Sequence, residues 1–253
     1  MGFTQCRADP DLWIKEDKNS NTYKFIATYV DDLILVMRDP QPYIDHIKQK
    51  FPIRNIEFRP EYYLGANISI NESNLKISME KYIKETIRKY ESKHAPIRKE
   101  NIPAAFNNHP ETDDSPFLDE AGTTHFQSVM GICQWISMAG QMDITFAVSS
   151  TSRFAAKPRE GHLRRAIKIL GYLKKYPKKG YYVDSRDPQV NSEYKEISAD
   201  FGNQYADCSE DIDNKLPKPL MKELPMTIFF DSNHGHDKVT GKLNWYHHYL
   251  NHP

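Results

Sequence analysis

Cysteine is scarce in this chain of 253 residues, and its three cysteines, Cys6, Cys133 and Cys208, are far apart. Their number is odd and their spacing fits no common zinc site, so the sequence predicts no disulfide framework. We expect buried, reduced thiols in a cytosolic or nuclear protein. A redox role for one of them is the alternative.

Long apolar runs are also missing, since none approaches the roughly 18 residues that a membrane span needs. The first thirty residues lack the basic-then-apolar pattern of a secretion signal. We therefore expect a soluble protein with no membrane partner. The length allows one large domain or two small ones, and 27% charged residues is an ordinary globular share.

The net charge is zero only as a sum over the chain. Residues 157–179 contain nine basic residues and one acidic residue, whereas residues 184–223 contain ten acidic and five basic residues. A neutral protein with one concentrated basic segment is typical of a local contact with a polyanion.

Apolar periodicity predicts an α+β fold in which antiparallel hairpins come first and helices follow. Residues 95–122 contain proline and aspartate without periodicity and predict a linker between two domains, and no pattern is assigned to residues 242–253. The predicted strands are 25–30, 33–37, 62–70, 75–78, 180–183 and 226–230, and the predicted helices are 42–50, 80–90, 124–139, 143–154 and 162–176.

The strongest local signal is the pair Asp31-Asp32, which separates two apolar strands as a tight hairpin does. Adjacent carboxylates repel each other, so a folded protein keeps them beside solvent or a cation. Mg²⁺ in proteins is held by one or two carboxylates together with substrate phosphates. The alternative is a plain Asp-Asp turn, which the turn preference of aspartate favours.

Several further segments extend this signal along the chain. Residues 29–36 read YVDDLILV, and the other segments are DPDLW at 9–13, FPI at 51–53, YLGANI at 63–68, FQSVMG at 126–131, DITFAV at 143–148, SRF at 152–154, RAIKILGYL at 165–173 and FDSNH at 230–234. In this order, over about residues 2–242, they resemble the reverse transcriptases of copia-type long-terminal-repeat retrotransposons.

The resemblance implies a partial polymerase palm with antiparallel hairpins, then a helical thumb and connection, then a truncated ribonuclease H strand. The implied domains are the palm remainder and start of the thumb at 1–94, the linker at 95–122, the helical thumb and connection region at 123–183, the acidic loop at 184–223 and the ribonuclease H-like start at 224–253.

The resemblance also implies transfer of a deoxynucleotide to a primer 3′-hydroxyl, assisted by two Mg²⁺ ions. Asp31 would be the main metal ligand and Asp32 its partner, while Asp231 matches the first ribonuclease H ligand. Tyr63, Leu64 and Gly65 would contact the primer. The implied partners are an RNA/DNA primer–template, deoxynucleoside triphosphates and the rest of the polyprotein, in cytoplasmic and nuclear particles.

The chain also departs from the family pattern. A two-metal polymerase site needs a further aspartate from an upstream strand, yet only thirty residues precede Asp31. The fingers are missing from those residues, and only 22 residues follow Asp231. We therefore expect an incomplete enzyme that is inactive alone. The rival hypothesis is a non-catalytic nucleic-acid-binding remnant or a pseudogene product.

The helix predicted at 162–176 has cations opposite its apolar stripe. Arg164, Arg165, Lys168 and Lys175 form an almost purely basic face, which suits contact with a phosphate backbone without base readout. A solvated helix face is the alternative.

Histidines near the end of the chain raise a separate zinc hypothesis, although their spacing fits no familiar tetrahedral site. The residues concerned are His234, His236, Asp237, His247, His248 and His252.

Overall fold

The hairpin around the aspartate pair lies in the first of two units into which the chain divides, with the division between Glu57 and Phe58. The computed structural model describes residues 1–19, 22–71, 74–105 and 109–184, Val239, and the backbone of two later strands. Both units combine antiparallel sheets with helices, which confirms the predicted α+β class.

The described part of the first unit is a four-stranded antiparallel sheet, in the order β1-β2-β3-β4, followed by one helix. Tyr43 of the helix lies under two ammonium groups of the sheet, those of the cross-strand pair Lys15 and Lys24, each 5.5 Å from its ring centroid. The helix therefore covers the sheet face that carries these lysines and the buried Ile26. The elements are β1 (Thr4–Gln5), β2 (Leu12–Asp17), β3 (Thr22–Tyr29), β4 (Asp32–Val36) and α1 (Gln41–Lys48).

In its described residues, the second unit combines a four-stranded antiparallel sheet, in the order β5-β6-β7-β8, with four helices. Short 3₁₀ turns at Pro110–Thr112 and Met142–Ile144 precede the third and fourth helices of the chain. The elements are β5 (Tyr62–Tyr63), β6 (Ala66–Ile70), β7 (Asn74–Ser78), α2 (Glu80–Glu91), α3 (Glu120–Ala139), α4 (Thr145–Ser152), α5 (Glu160–Lys175) and β8 (Gly180–Asp184).

One apolar core joins α2, α3, α4 and α5. Ile83, Phe126 and Leu170 come from three of these helices and are almost completely buried. Cys133 is also fully buried, and burial raises the pKa of its thiol to about 12, which makes it unreactive.

The predicted linker 95–122 does not separate two domains in the structure. Ile97 is buried in the same core as the helices on both sides of it. The amide of Glu100 donates to the carbonyl of Gly171 on α5 at 3.1 Å, and a Cβ atom on Gly171 would lie only 2.4 Å from the Arg98 carbonyl oxygen. The segment therefore packs on α5, and the division of the chain lies earlier.

A last hairpin is formed by β9 (Phe229–Asn233) and β10 (Asn244–His248), which pair in antiparallel register. The strand predicted at 226–230 thus begins three residues later, and the sequence did not predict β10. Residues 185–223 of the acidic loop lie outside the described residues. Among the residues described, no helix is both long enough and apolar enough to cross a membrane.

Candidate metal centre and nucleic-acid surfaces

The aspartate pair lies at the connection between β3 and β4. The predicted hairpin is present, but its two-residue loop is Val30-Asp31 and not Asp31-Asp32, because Asp32 already pairs with Tyr29 across the strands. The register that aligns Ile26 with Leu35 fixes this position. Asp31 is therefore a loop residue, while Asp32 begins a strand.

Val30, beside the pair, has a left-handed backbone. Its φ is +51°, and its side chain is 90% exposed. A β-branched residue in this region is a genuine outlier that costs about 1–3 kcal/mol, and such strain is concentrated at functional sites. The hairpin tip thus combines an unfavourable backbone conformation with an apolar side chain in solvent.

The carboxylate of Asp32 lies on the open face of the sheet. Alternation along β4 puts Asp32 on the same face as Val36, opposite the face that α1 covers. Val36 is exposed, as is Tyr29 opposite Asp32. β4 is also the last strand in the described sheet, so its outer backbone edge is open to a further strand.

Four other aspartates in the chain use their carboxylates in local turns. Asp9, Asp17, Asp39 and Asp113 each accept a hydrogen bond from the backbone amide two residues later, at 3.0–3.3 Å. Asp31 and Asp32 differ from them, since among the described residues neither side chain has a hydrogen-bond or ion-pair partner. Asp31 and Asp32 therefore do not form the side-chain-to-amide turn that the other four aspartates form.

The pair alone supplies too few ligands for two metal ions. Within the described ranges no group of three histidine, cysteine, aspartate or glutamate side chains converges on one point. Two exposed carboxylates suit a hard cation that keeps several waters, as Mg²⁺ does, but a two-metal site takes more carboxylates than this.

The residues predicted to contact the primer form a second tight hairpin. Tyr63 pairs with Ala66, so Leu64 and Gly65 are the loop, with φ of +47° and +84°. This is the left-handed pair of conformations that a two-residue hairpin of this kind requires. A Cβ atom on Gly65 would lie 3.5 Å from the indole nitrogen of Trp135, so the tip packs on α3.

Two of the four α5 cations that were predicted to bind phosphates, Arg165 and Lys175, are engaged by side chains of the preceding segment. Arg165 forms an ion pair with Asp113 at 2.5 Å, Lys175 donates to the Asn101 side chain, and the exposed Arg164 lies 3.6 Å from Glu160. Lys168 lines a cavity of about 370 Å³ between α5 and the preceding segment. Contact of this helix face with a phosphate backbone stays a prediction, and Arg164 and Lys168 are the less engaged of its cations.

Asp113 is the centre of the contact between this segment and α5. Its carboxylate accepts hydrogen bonds from the Ser115 hydroxyl and from Arg165, both at 2.5 Å. Burial alone would raise the pKa of Asp113, but these hydrogen bonds outweigh burial and lower the pKa to about 2. Gly161 packs directly on this carboxylate, since a Cβ atom there would overlap Asp113.

His162 is neutral and holds the first turn of α5 in place through both of its ring nitrogens. Its Nε2 donates to the Pro110 carbonyl at 2.9 Å, while its Nδ1 accepts from the Arg159 amide at 3.0 Å. This arrangement assigns the proton to Nε2 and leaves no place for a second one. Burial lowers the pKa of His162, whose ring is almost fully enclosed.

Sequence reasoning missed a second basic surface, between α2 and the end of α5. Lys84, Arg88, Lys99 and Lys174 line an open groove of about 570 Å³ there. The i, i+4 spacing of Lys84 and Arg88 was the available signal, because it puts both on one helix face. The acidic residues interspersed along α2 concealed it.

The remaining predicted residues lie near the end of the chain. Asp231 is the third residue of β9, where its backbone is opposite Tyr246, whereas the predicted strand 226–230 would place it directly after the strand. Its side chain lies outside the described part of the structure. His247 and His248 are in β10, while the other members of the proposed zinc group are outside the described residues.

Comparison with known proteins finds retrotransposon relatives. The chain is 28% identical over 178 residues to a putative transposon Ty5-1 protein of Saccharomyces cerevisiae, covering 68% of this chain and 55% of the yeast protein. It is 25% identical over 187 residues to a retrovirus-related Pol polyprotein from transposon RE1 of Arabidopsis thaliana, covering 72% of this chain and 12% of that protein.

A second Arabidopsis thaliana polyprotein, from transposon RE2, is 23% identical over 193 residues. The chain thus spans about half the length of the yeast relative and about an eighth of the plant polyproteins. No family model matches the chain. No solved structure matches it either.

Proposed function

We propose that this chain is part of the reverse transcriptase of a copia-type retrotransposon. Its first unit would be the palm remainder with the aspartate-pair hairpin, its second unit the thumb and connection, and β9 the start of ribonuclease H. The retrotransposon relatives support this origin. The order of the sequence motifs supports the assignment of the parts.

The observation that carries the proposal is the state of the two carboxylates. Asp31 and Asp32 are exposed at a strained hairpin tip and lack a partner among the described residues, whereas Asp9, Asp17 and Asp39 in the same unit are engaged in turns. Two adjacent carboxylates that make no contact within the protein repel each other, which favours a function in which they bind a cation. The bound Mg²⁺ would neutralise triphosphate charge and activate the primer hydroxyl.

The contribution of this chain would be to hold the two carboxylates in a fixed position. The antiparallel strands hold Asp31 and Asp32 at the tip, and Asp32 lies on the face that α1 leaves open, where a primer end could approach. A further carboxylate is still required. We propose that it belongs to a strand paired with the outer edge of β4, so that residues 1–253 alone do not extend a primer.

A measurement of metal binding tests the proposal and requires no enzymatic activity. Mn²⁺ titrated into the ¹⁵N-labelled chain should broaden the amide signals of residues 30–33 first, and Asp31→Asn with Asp32→Asn should abolish this. Asp114→Asn, at another exposed carboxylate, is the matched control and should leave the broadening intact. Uniform broadening, or broadening that survives the double substitution, would contradict the metal site.

A non-catalytic nucleic-acid-binding remnant is the second candidate, favoured by the shortage of carboxylates at the hairpin. The two candidates differ in metal binding, since the remnant requires none at Asp31 and Asp32. A chain that binds an RNA–DNA duplex but shows no selective Mn²⁺ effect would support the remnant. A chain that extends a primed template unaided would contradict our proposal of an incomplete enzyme.

A further inference from the structure

The groove between α2 and the C-terminal end of α5 is lined by four cations and one carboxylate. Its floor is apolar, formed by Ile83 and Ile87, and it is open to solvent along its length. Cations project around this floor from three separate segments. They are Lys84 and Arg88 on α2, Lys99 in the segment after it, and Lys174 on α5.

The partners of these cations differ from those on the other face of α5. The side chains of Arg88 and Lys99 are exposed and have no hydrogen-bond or ion-pair partner among the residues that the structure describes. Lys84 has only a helical i, i+4 contact, 2.5 Å from Glu80, and is 60% exposed. Lys174 is the exception, because it is bound to Glu91 at 2.6 Å.

The carboxylate of Glu80, beside the groove on α2, also lies in a positive electrostatic field. A hydrogen bond from Lys84 lowers the pKa of Glu80, and the charges of Lys178 and Lys76 contribute to this shift. The groove is therefore bordered by more cations than its lining residues alone. Glu91 is the one acidic residue in the lining.

The shape of the surface selects a polymer over a small anion. An open groove encloses no single ligand, and its cations are spread along it instead of converging on one point. Lys84 and Arg88 are about 6 Å apart along the helix axis, close to two phosphate steps of about 3.4 Å on one strand of a duplex. Side chains at such spacing can each contact a phosphate without reading a base.

We infer that the groove lined by Lys84, Arg88 and Lys99 is a contact surface for the phosphate backbone of a nucleic-acid duplex. The inference rests on the proposed function, which makes nucleic acid the partner. It replaces the basic face of α5 as the principal binding surface, because Arg165 and Lys175 on that face are held by Asp113 and Asn101.

Two variants with equal changes in charge test the inference on the full chain. One carries Lys84→Gln, Arg88→Gln and Lys99→Gln, and the control carries Arg164→Gln, Lys168→Gln and Lys175→Gln. The probe is a short RNA–DNA duplex of mixed sequence, titrated at several salt concentrations. Equal charge changes remove any difference in long-range attraction, so the comparison isolates location.

The groove variant should show a log–log salt slope smaller by about 3, since each neutralised phosphate contributes about 0.9. Its affinity at about 0.1 M salt should fall on the order of 100-fold, while the control changes only a few-fold. A control that loses as much affinity as the groove variant would overturn the inference and leave the proposed function standing. A wild-type chain that binds no duplex would overturn both.

Glu91→Gln adds a result that misfolding cannot imitate. The substitution removes the negative charge of the groove lining and releases Lys174 from its ion pair, while the amide can still accept from the Ile97 backbone. Duplex binding should therefore become several-fold tighter, with a steeper salt dependence. Unchanged or weaker binding in a variant with an unaltered circular dichroism spectrum would contradict the groove.

Discussion

The ion pair between Asp113 and Arg165 should be a principal anchor of the segment that covers α5. The Asp113 side chain is only 8% exposed and that of Arg165 29% exposed, so solvent weakens their attraction little. We predict that Asp113→Asn, which keeps the shape of the side chain but removes its charge, lowers the free energy of unfolding of the second unit at pH 7.

The magnitude follows from the pKa of Asp113, which changes from 3.8 to about 2 on folding. A folded-state pKa below the unfolded value stabilises the protein at every pH above the unfolded value. One pKa unit corresponds to about 1.4 kcal/mol, so the ionised carboxylate contributes about 2 kcal/mol, which is lost as the pH falls from about 4 to 2. Asp113→Ala should cost more, about 3–4 kcal/mol, because it also leaves Ser115 and Arg165 without this acceptor.

Urea unfolding followed by tryptophan fluorescence measures these changes. The chain has three tryptophans, and Trp13→Phe with Trp245→Phe leaves Trp135 on α3 as the reporter of the second unit. Arg164→Gln is the matched control, since its contact with Glu160 is 3.6 Å long and largely exposed, worth less than about 0.5 kcal/mol. An Asp113→Asn effect no larger than this control would refute the reasoning.

Three further predictions concern other parts of the chain. Gly65→Ala should cost about 1–2 kcal/mol in the same urea assay, because φ there is +84°; an unchanged midpoint would contradict the hairpin geometry. Stability should fall as the pH drops below about 6.5, because burial lowers the pKa of His162 and the unfolded chain takes up the proton more readily, and the urea midpoint should depend less on pH in His162→Gln. Asp31→Asn should leave the stability of the first unit unchanged or raise it by up to about 1 kcal/mol, measured by Trp13 fluorescence, whereas a clear loss would indicate a structural turn.

Much of the fold could be predicted because its elements carry strong local periodicity. The apolar stripe of α2 predicted a helix within one residue of its observed end, and the two β-rich stretches predicted the hairpin of β3 and β4. The one-residue error in the hairpin loop came from reading the polar break as the turn. Pairing of Tyr29 with Asp32 sets the register instead, and side-chain polarity does not reveal it.

The segment 95–122 shows why the domain division was misplaced. Its composition is that of a linker, and no periodicity marks Ile97 as a core residue. What holds the segment is tertiary structure, including the fit of its backbone against Gly171 and the ion pair of Asp113. A glycine inside a helix and an aspartate in a loop each have many local explanations, so neither residue alone indicates the contact.

The same contacts explain why several cations in the most basic segment of the sequence are not free. Arg165 bonds to a carboxylate 52 residues away, Lys174 to one 83 residues away and Lys175 to an amide 74 residues away. A count of charges along the sequence treats these cations as free, although each of them is bonded to another group in the folded protein. Lys99 was overlooked for the opposite reason, because it lies in a segment of mixed composition yet remains unpaired among the described residues. Long-range pairing therefore decides which cations remain unpaired, and these unpaired cations are the ones that attract a polyanion.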